Sequence, residues 1–132
     1  MAKRRMFSLD VVDTDKFTDM PISAQALYFH LGMRADDDGF VSSPKRIMNG
    51  IGSSADDMTI LQAKGYVIPF QAGVCVITDW KRNNQIKSDR YQATAYVEEL
   101  SMLTVDPNTK QYALGPGRKQ FGTILEPQIS RV

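Results

Sequence analysis

Between Ile22 and Arg34 the apolar residues fall into two sets with helical spacing. Ala24, Leu27, Tyr28 and Leu31 share one face, and Ala26, Phe29 and Met33 cover much of the opposite side. This spacing predicts a helix from about Ala24 to Arg34, with Ser23 as its N-cap and Ile22 stapled onto Leu27. A helix that is apolar on two sides is buried between layers or forms a partner interface. Phe40-Val41 then predicts a short strand. Ser43-Pro44 reads as N-cap and N1 proline of a second helix reaching about Asn49, and Gly50 and Gly52 punctuate its end. Ser53 or Ser54 caps a third helix whose first turn is acidic through Asp56 and Asp57, and Gly65 suits its C′ position. YVIPF and VCVITDW are β-rich runs joined by Gln71-Ala72-Gly73, which predicts a hairpin with Pro69 on an edge. Tyr96, Val97, Leu100 and Leu103 mark one face of a fourth helix. VDPNTKQY reads as a turn or small hairpin, and the glycine- and proline-rich stretch from Gly115 reads as a tail or linker.

The predicted order is helix, short strand, two helices and β-hairpin. The expected fold class is therefore α+β, a winged helix-turn-helix with an additional C-terminal helix. Residues 1–104 are expected to form this domain with an N-terminal extension, and residues 105–132 the turn or small hairpin and linker-like tail.

Composition narrows the function classes. With 132 residues, 42% hydrophobic and 23% charged, the chain suits one domain with its own core. A net charge of +1 gives no global signal for nucleic acid, so any such role must come from local patches. One cysteine and one histidine allow neither an intramolecular disulfide nor a usual zinc site, which fits a reducing, cytoplasmic setting. MAKRRMFSLD has no apolar core after its basic residues, and no apolar run approaches 18 residues. Neither a signal peptide nor a membrane span is expected.

Several separated blocks, SAQALYFHLGMRADDDGFV, SSPKRIM, AKGYVIPF, VITDWKRNN and KSDRY, occur in order. Together, over roughly Arg5 to Leu103, they resemble the start of bacteriophage replisome-organiser proteins, replication initiators related to the DnaD-like primosome family. The resemblance implies a winged-helix N-terminal domain, DNA binding in replication initiation, self-association as a dimer or larger oligomer, and contact with other replication proteins. In that family a linker and a second domain usually follow. The resemblance thus implies a short version or a fragment, without the part expected to load a helicase.

The candidate sites are local. Asp36-Asp37-Asp38-Gly39 does not fit a calcium loop, because Arg34 falls at the first position and Lys45 at the twelfth. A tight turn into Phe40-Val41, with an aspartate accepting backbone N–H groups or pairing with Lys45 or Arg46, accounts for it better. His30 and Cys75 read as packed residues. On the third helix Thr59 and Gln62 are placed to meet base edges, but no arginine joins them, and Asp56 and Asp57 are expected to repel phosphate. Lys45 and Arg46 open the second helix, where free N–H groups favour a phosphate. WKRNNQIKSDRY offers Lys81, Arg82, Lys87 and Arg90 against Asp89. Asn83, Asn84 and Gln85 there suit phosphate or sugar contacts, and Tyr91 suits stacking. Lys3, Arg4 and Arg5 form a possible arm, while the wing tip has no cation. Phe29, Met33, Tyr96, Val97 and Leu100 are the candidate oligomer interface. No nucleophile–base set, phosphate loop or metal cluster is legible, so neither an enzyme nor a cofactor is expected. The expected function is a non-catalytic DNA-binding module. Its rival is a winged-helix interaction module of replisome assembly with little DNA contact.

Overall fold

A computed structural model describes residues 3–115. The linker-like tail expected after Gly115 lies outside them. The described part is mixed α+β. In chain order it holds α1 (Leu9–Val12), α2 (Asp15–Thr18), α3 (Ile22–Met33), β1 (Phe40–Val41), α4 (Pro44–Ile51), α5 (Ala55–Ala63), β2 (Val67–Pro69), β3 (Cys75–Ile77), α6 (Trp80–Asn83), α7 (Val97–Ser101), β4 (Leu103–Val105) and β5 (Tyr112–Leu114).

The predicted apolar face of α3 is the buried one. Ala24, Leu27, Tyr28 and Leu31 are fully buried, and each large side chain so removed from water contributes about 1.5–3 kcal/mol. The helix begins earlier than its sequence suggests. Pro21 is the N-cap, and Ile22 is 84% exposed rather than stapled to Leu27. Ser23 does not cap α3 either; its hydroxyl donates to Asp57 Oδ1 at 2.7 Å and ties α3 to α5. Ser43 precedes Pro44 as expected but makes no side-chain capping bond.

Glycines end α4 and α5 as predicted. Gly52 (φ 73°) and Gly65 (φ 81°) both take the left-handed conformation. At the end of α5, Gly65 N–H reaches the Gln62 carbonyl and Tyr66 N–H the Leu61 carbonyl, the paired closure of a Schellman motif. The chain then enters β2 and the hairpin. β1, β3 and β2 form an antiparallel sheet in that order, with Phe40 opposite Val76 and Ile68 opposite Val76 from the other side. Pro69 accordingly sits on an edge strand, and the central strand β3 is wholly buried.

The short helices α1, α2 and α6 were not legible as elements. The segment from Met6 to Val12 and the short α2 fold over α3. Phe7 and Phe17 meet Phe29 at ring distances of 4.9 and 5.7 Å, and Phe17 meets Tyr28 and Tyr66 at 5.3 and 5.5 Å. The second apolar side of α3 is thus covered by its own chain at Phe29, while Met33 stays exposed. The expected fourth helix is only Val97–Ser101, because Leu103 already pairs with Leu114 in a second, two-stranded sheet. That hairpin spans residues 103–114 and surrounds the expected turn. Tyr112 is buried in the main core, and its N–H donates to the Thr78 carbonyl at 2.9 Å.

Candidate nucleic-acid interface and the aspartate turn

Asp36-Asp37-Asp38-Gly39 connects α3 to β1, and five of the six carboxylate oxygens are engaged within the chain. Asp36 Oδ1 accepts from the Asp38 and Phe40 N–H groups at 3.0 and 2.9 Å, and Oδ2 from the Thr94 hydroxyl. Asp37 Oδ1 pairs with Arg5 at 3.0 Å, while Oδ2 accepts the Gln92 N–H at 2.9 Å. Asp38 Oδ2 accepts the Tyr91 hydroxyl at 2.6 Å and the Thr94 N–H at 2.9 Å. The backbone of the turn is used as well. The Asp37 carbonyl takes the Trp80 indole N–H, and the Asp38 carbonyl takes the Tyr112 hydroxyl. Gly39 (φ 92°) lies under Trp80, so close that a Cβ there would stand 2.6 Å from the indole Cγ. The three carboxylates are the clasp that holds two distant segments, Arg5 and residues 91–94, to the turn.

The expected cation partner is corrected. Lys45 and Arg46 are exposed, and the ion pair goes to Arg5, whose side chain is only 3% exposed. Arg5 also donates to the Ala35 carbonyl at 2.8 Å and lies 5.2 Å from the Trp80 ring centre. It is therefore no part of a free arm; Lys3 and Arg4 remain exposed. What holds Arg5 there is a pair of asparagines. Asn84 accepts the Met6 N–H and donates to the Met6 carbonyl, at 2.8 and 3.1 Å. Asn83 accepts the Ser8 N–H at 2.8 Å and donates to the Tyr28 hydroxyl at 3.0 Å. Asn83 and Asn84 are buried and spent on this task, so they are not available to phosphate or sugar.

The remaining basic residues of the 81–90 segment face outward. Lys87 and Arg90 line a groove of about 1000 Å³ with Arg4, Gln85, Asp89 and Tyr91. Lys81 and Arg82 line a neighbouring concavity of about 400 Å³ with Asp10, Gln85 and Lys110. Gln85 is common to both, so the two concavities adjoin and together carry these six cations, a cationic track. Asp10 and Asp89 lie on it as well, and Arg82 is partly neutralised by Asp79 at 3.4 Å. Lys110 was missed in the sequence because only the docking of Gln111 on Asp79 and of Tyr112 on Thr78 brings it beside Lys81 and Arg82.

The other predicted residues lie elsewhere. Lys45, Thr59 and Gln62 border a groove of about 290 Å³ whose walls include Met48, Met58, Pro69 and Phe70. Arg46 lines a different concavity with Arg34. None of these four grooves holds residues of both this set and the 81–90 set. Thr59 donates back to the Ala55 carbonyl at 3.1 Å. Asp57 does not repel anions outward as expected. It is buried and accepts from Ser23, Ser53 and the Ser54 N–H, and the Ser23 and Ser53 hydroxyls hold its pKa below the ordinary carboxylate value.

His30 is half-buried with Nδ1 3.1 Å from the Arg34 guanidinium, and Cys75 is buried with its thiol pushed up to about 12 by desolvation. Of the five expected interface residues, Phe29, Tyr96 and Leu100 pack partly buried against the core of their own chain; Met33 and Val97 stay exposed. Among the described residues no group of three or more His, Cys, Asp or Glu could hold a metal ion, and no helix is long and apolar enough to cross a membrane. No family model, curated protein or solved structure matches the chain.

Proposed function

We propose that this chain is a winged-helix DNA-binding module acting in phage replication initiation, holding nucleic acid chiefly through phosphate contacts. Supporting the winged-helix reading, α3, β1, α4, α5 and the β2–β3 hairpin follow in the order such a domain requires. The short strand β1 pairs with the second hairpin strand. The replication setting comes from the resemblance of the sequence blocks. The observation that carries nucleic-acid binding is the gathering of Arg4, Lys81, Arg82, Lys87, Arg90 and Lys110 in two concavities that share Gln85. On a chain of net charge +1 such a concentration is local, and phosphate neutralisation is what a local cationic track does best.

The test is Lys81→Ala/Lys87→Ala/Arg90→Ala, three exposed positions. Binding should weaken, and the slope of log affinity against log salt should flatten by roughly 2 to 3, close to one unit for each phosphate that is no longer neutralised. Unchanged affinity and slope in a folded variant would defeat the reading.

One observation favours the second reading, a protein-interaction module. The groove bordered by Lys45, Thr59 and Gln62 is walled by methionine, proline and phenylalanine, and the exposed side of α5 carries Asp56 and no arginine. Under either reading, self-association rests on Met33 and Val97. Light scattering across concentrations, repeated on Met33→Asp/Val97→Asp, tests it.

A further inference from the structure

We propose that the larger groove of the cationic track receives single-stranded nucleic acid, with one base stacked on Tyr91. This deepens the nucleic-acid reading and rests on it. The groove is mixed in chemistry: Arg4, Lys87 and Arg90 supply charge, whereas Met6, Ile86 and Tyr91 supply apolar surface. Met6 is 57% and Tyr91 42% exposed. A duplex offers a protein its phosphates and groove edges; its base faces are stacked inside and have no use for an apolar wall. A single strand offers phosphates and open base faces together, which is the pairing this groove supplies.

Tyr91 is built as a platform. Its hydroxyl is anchored to Asp38 at 2.6 Å, and Asp38 is itself fixed by the Thr94 N–H. That bond to a carboxylate, helped by partial burial, pushes the Tyr91 pKa up to about 12, so the anchoring proton stays in place. An aromatic ring held at its hydroxyl and partly exposed loses little freedom when a base stacks on it. Gln92 N–H, bound to Asp37, fixes the next residue of the chain.

The experiment measures fluorescence anisotropy of labelled oligothymidine, oligouridine and a random-sequence duplex of equal length at several salt concentrations. The proteins are the wild type, Tyr91→Leu, Tyr91→Phe and Arg4→Ala/Lys87→Ala/Arg90→Ala, each checked for native Trp80 fluorescence. Oligothymidine, oligouridine or both should bind at least ~10-fold tighter than the duplex, and Tyr91→Leu should weaken that binding ~5- to 150-fold while leaving the duplex unchanged. Tyr91→Phe, which keeps the ring but loses its anchor to Asp38, should fall between the wild type and Tyr91→Leu. The triple variant should weaken every ligand. Duplex binding as tight as single-strand binding, or indifference to Tyr91→Leu, overturns this proposal while leaving the DNA-binding module standing. Failure of all three ligands to bind overturns both.

Discussion

Asp38→Ala tests the clasp directly. The buried carboxylate accepts from the Tyr91 hydroxyl and the Thr94 N–H. Hydrogen bonds to a charged group are worth about 1.5–3 kcal/mol each, and a buried donor left unpaired costs about 1–3 kcal/mol. The Tyr91 bond lies toward solvent, where water replaces it, so its share falls at the low end. The Thr94 N–H is buried and has no such substitute. The expected loss is about 3 kcal/mol, well below the 5–15 kcal/mol typical of a whole domain, so the variant still folds. For a domain this size that lowers Tm by roughly 10 °C. Urea unfolding read by Trp80 is the assay. It is the only tryptophan, and its indole N–H is bonded to the neighbouring Asp37 carbonyl. A double-mutant cycle with Tyr91→Phe then separates the two bonds. Single-strand binding should also fall in Asp38→Ala, although no groove cation is touched, because the Tyr91 platform is released. A loss under ~1 kcal/mol would show that the 91–94 segment is held by something other than this carboxylate.

Three further outcomes follow from the same structure. Gly39→Ala should cost at least ~2 kcal/mol, since its Cβ collides with Trp80, whereas Gly73→Ala, at a similar φ but in open space, should cost about 1 kcal/mol; equal losses in urea unfolding would refute the close approach. Cys75 should resist a thiol-specific disulfide reagent in the native protein and react fully in denaturant, because burial raises its pKa to about 12; rapid native labelling at pH 8 would contradict this. Asp57→Ala should cost about 1–2 kcal/mol at pH 7. The folded pKa of Asp57 lies below its unfolded value near 3.8, so its contribution is complete above that value and drains away as the pH falls through the lower folded one; a penalty that stays constant down to pH 2.5 would refute the assignment.

The sequence by itself determined the local elements wherever one rule sufficed. The two-faced apolar spacing of α3, Pro44 at the start of α4, the glycines after α4 and α5, and the β-rich runs around Gln71-Ala72-Gly73 each act within a few residues, and each element forms, although α3 starts before its expected first residue and α4 runs past its expected end. The pattern also pointed to Asp36–Asp38 as a turn, since side-chain to backbone bonding at that spacing is intrinsic to aspartate. Only the tertiary structure decided what those residues serve. Arg5 and Thr94 stand 32 and 56 residues from Asp37 and Asp38, and nothing local distinguishes Arg5, which is buried, from Arg4, which is free. Asn83 and Asn84 read as polar loop residues suited to phosphate until their partners, Met6 and Ser8, proved to be the chain's own backbone. Ser23 read as a cap because capping is local, but a buried carboxylate across the helix pair claimed its hydroxyl. Lys110 joined the cationic track only because the hairpin docks on Thr78 and Asp79. Periodicity and turn chemistry are short-range and survive in one dimension; ion pairs, burial of polar groups and the continuity of a charged groove depend on which distant segments meet.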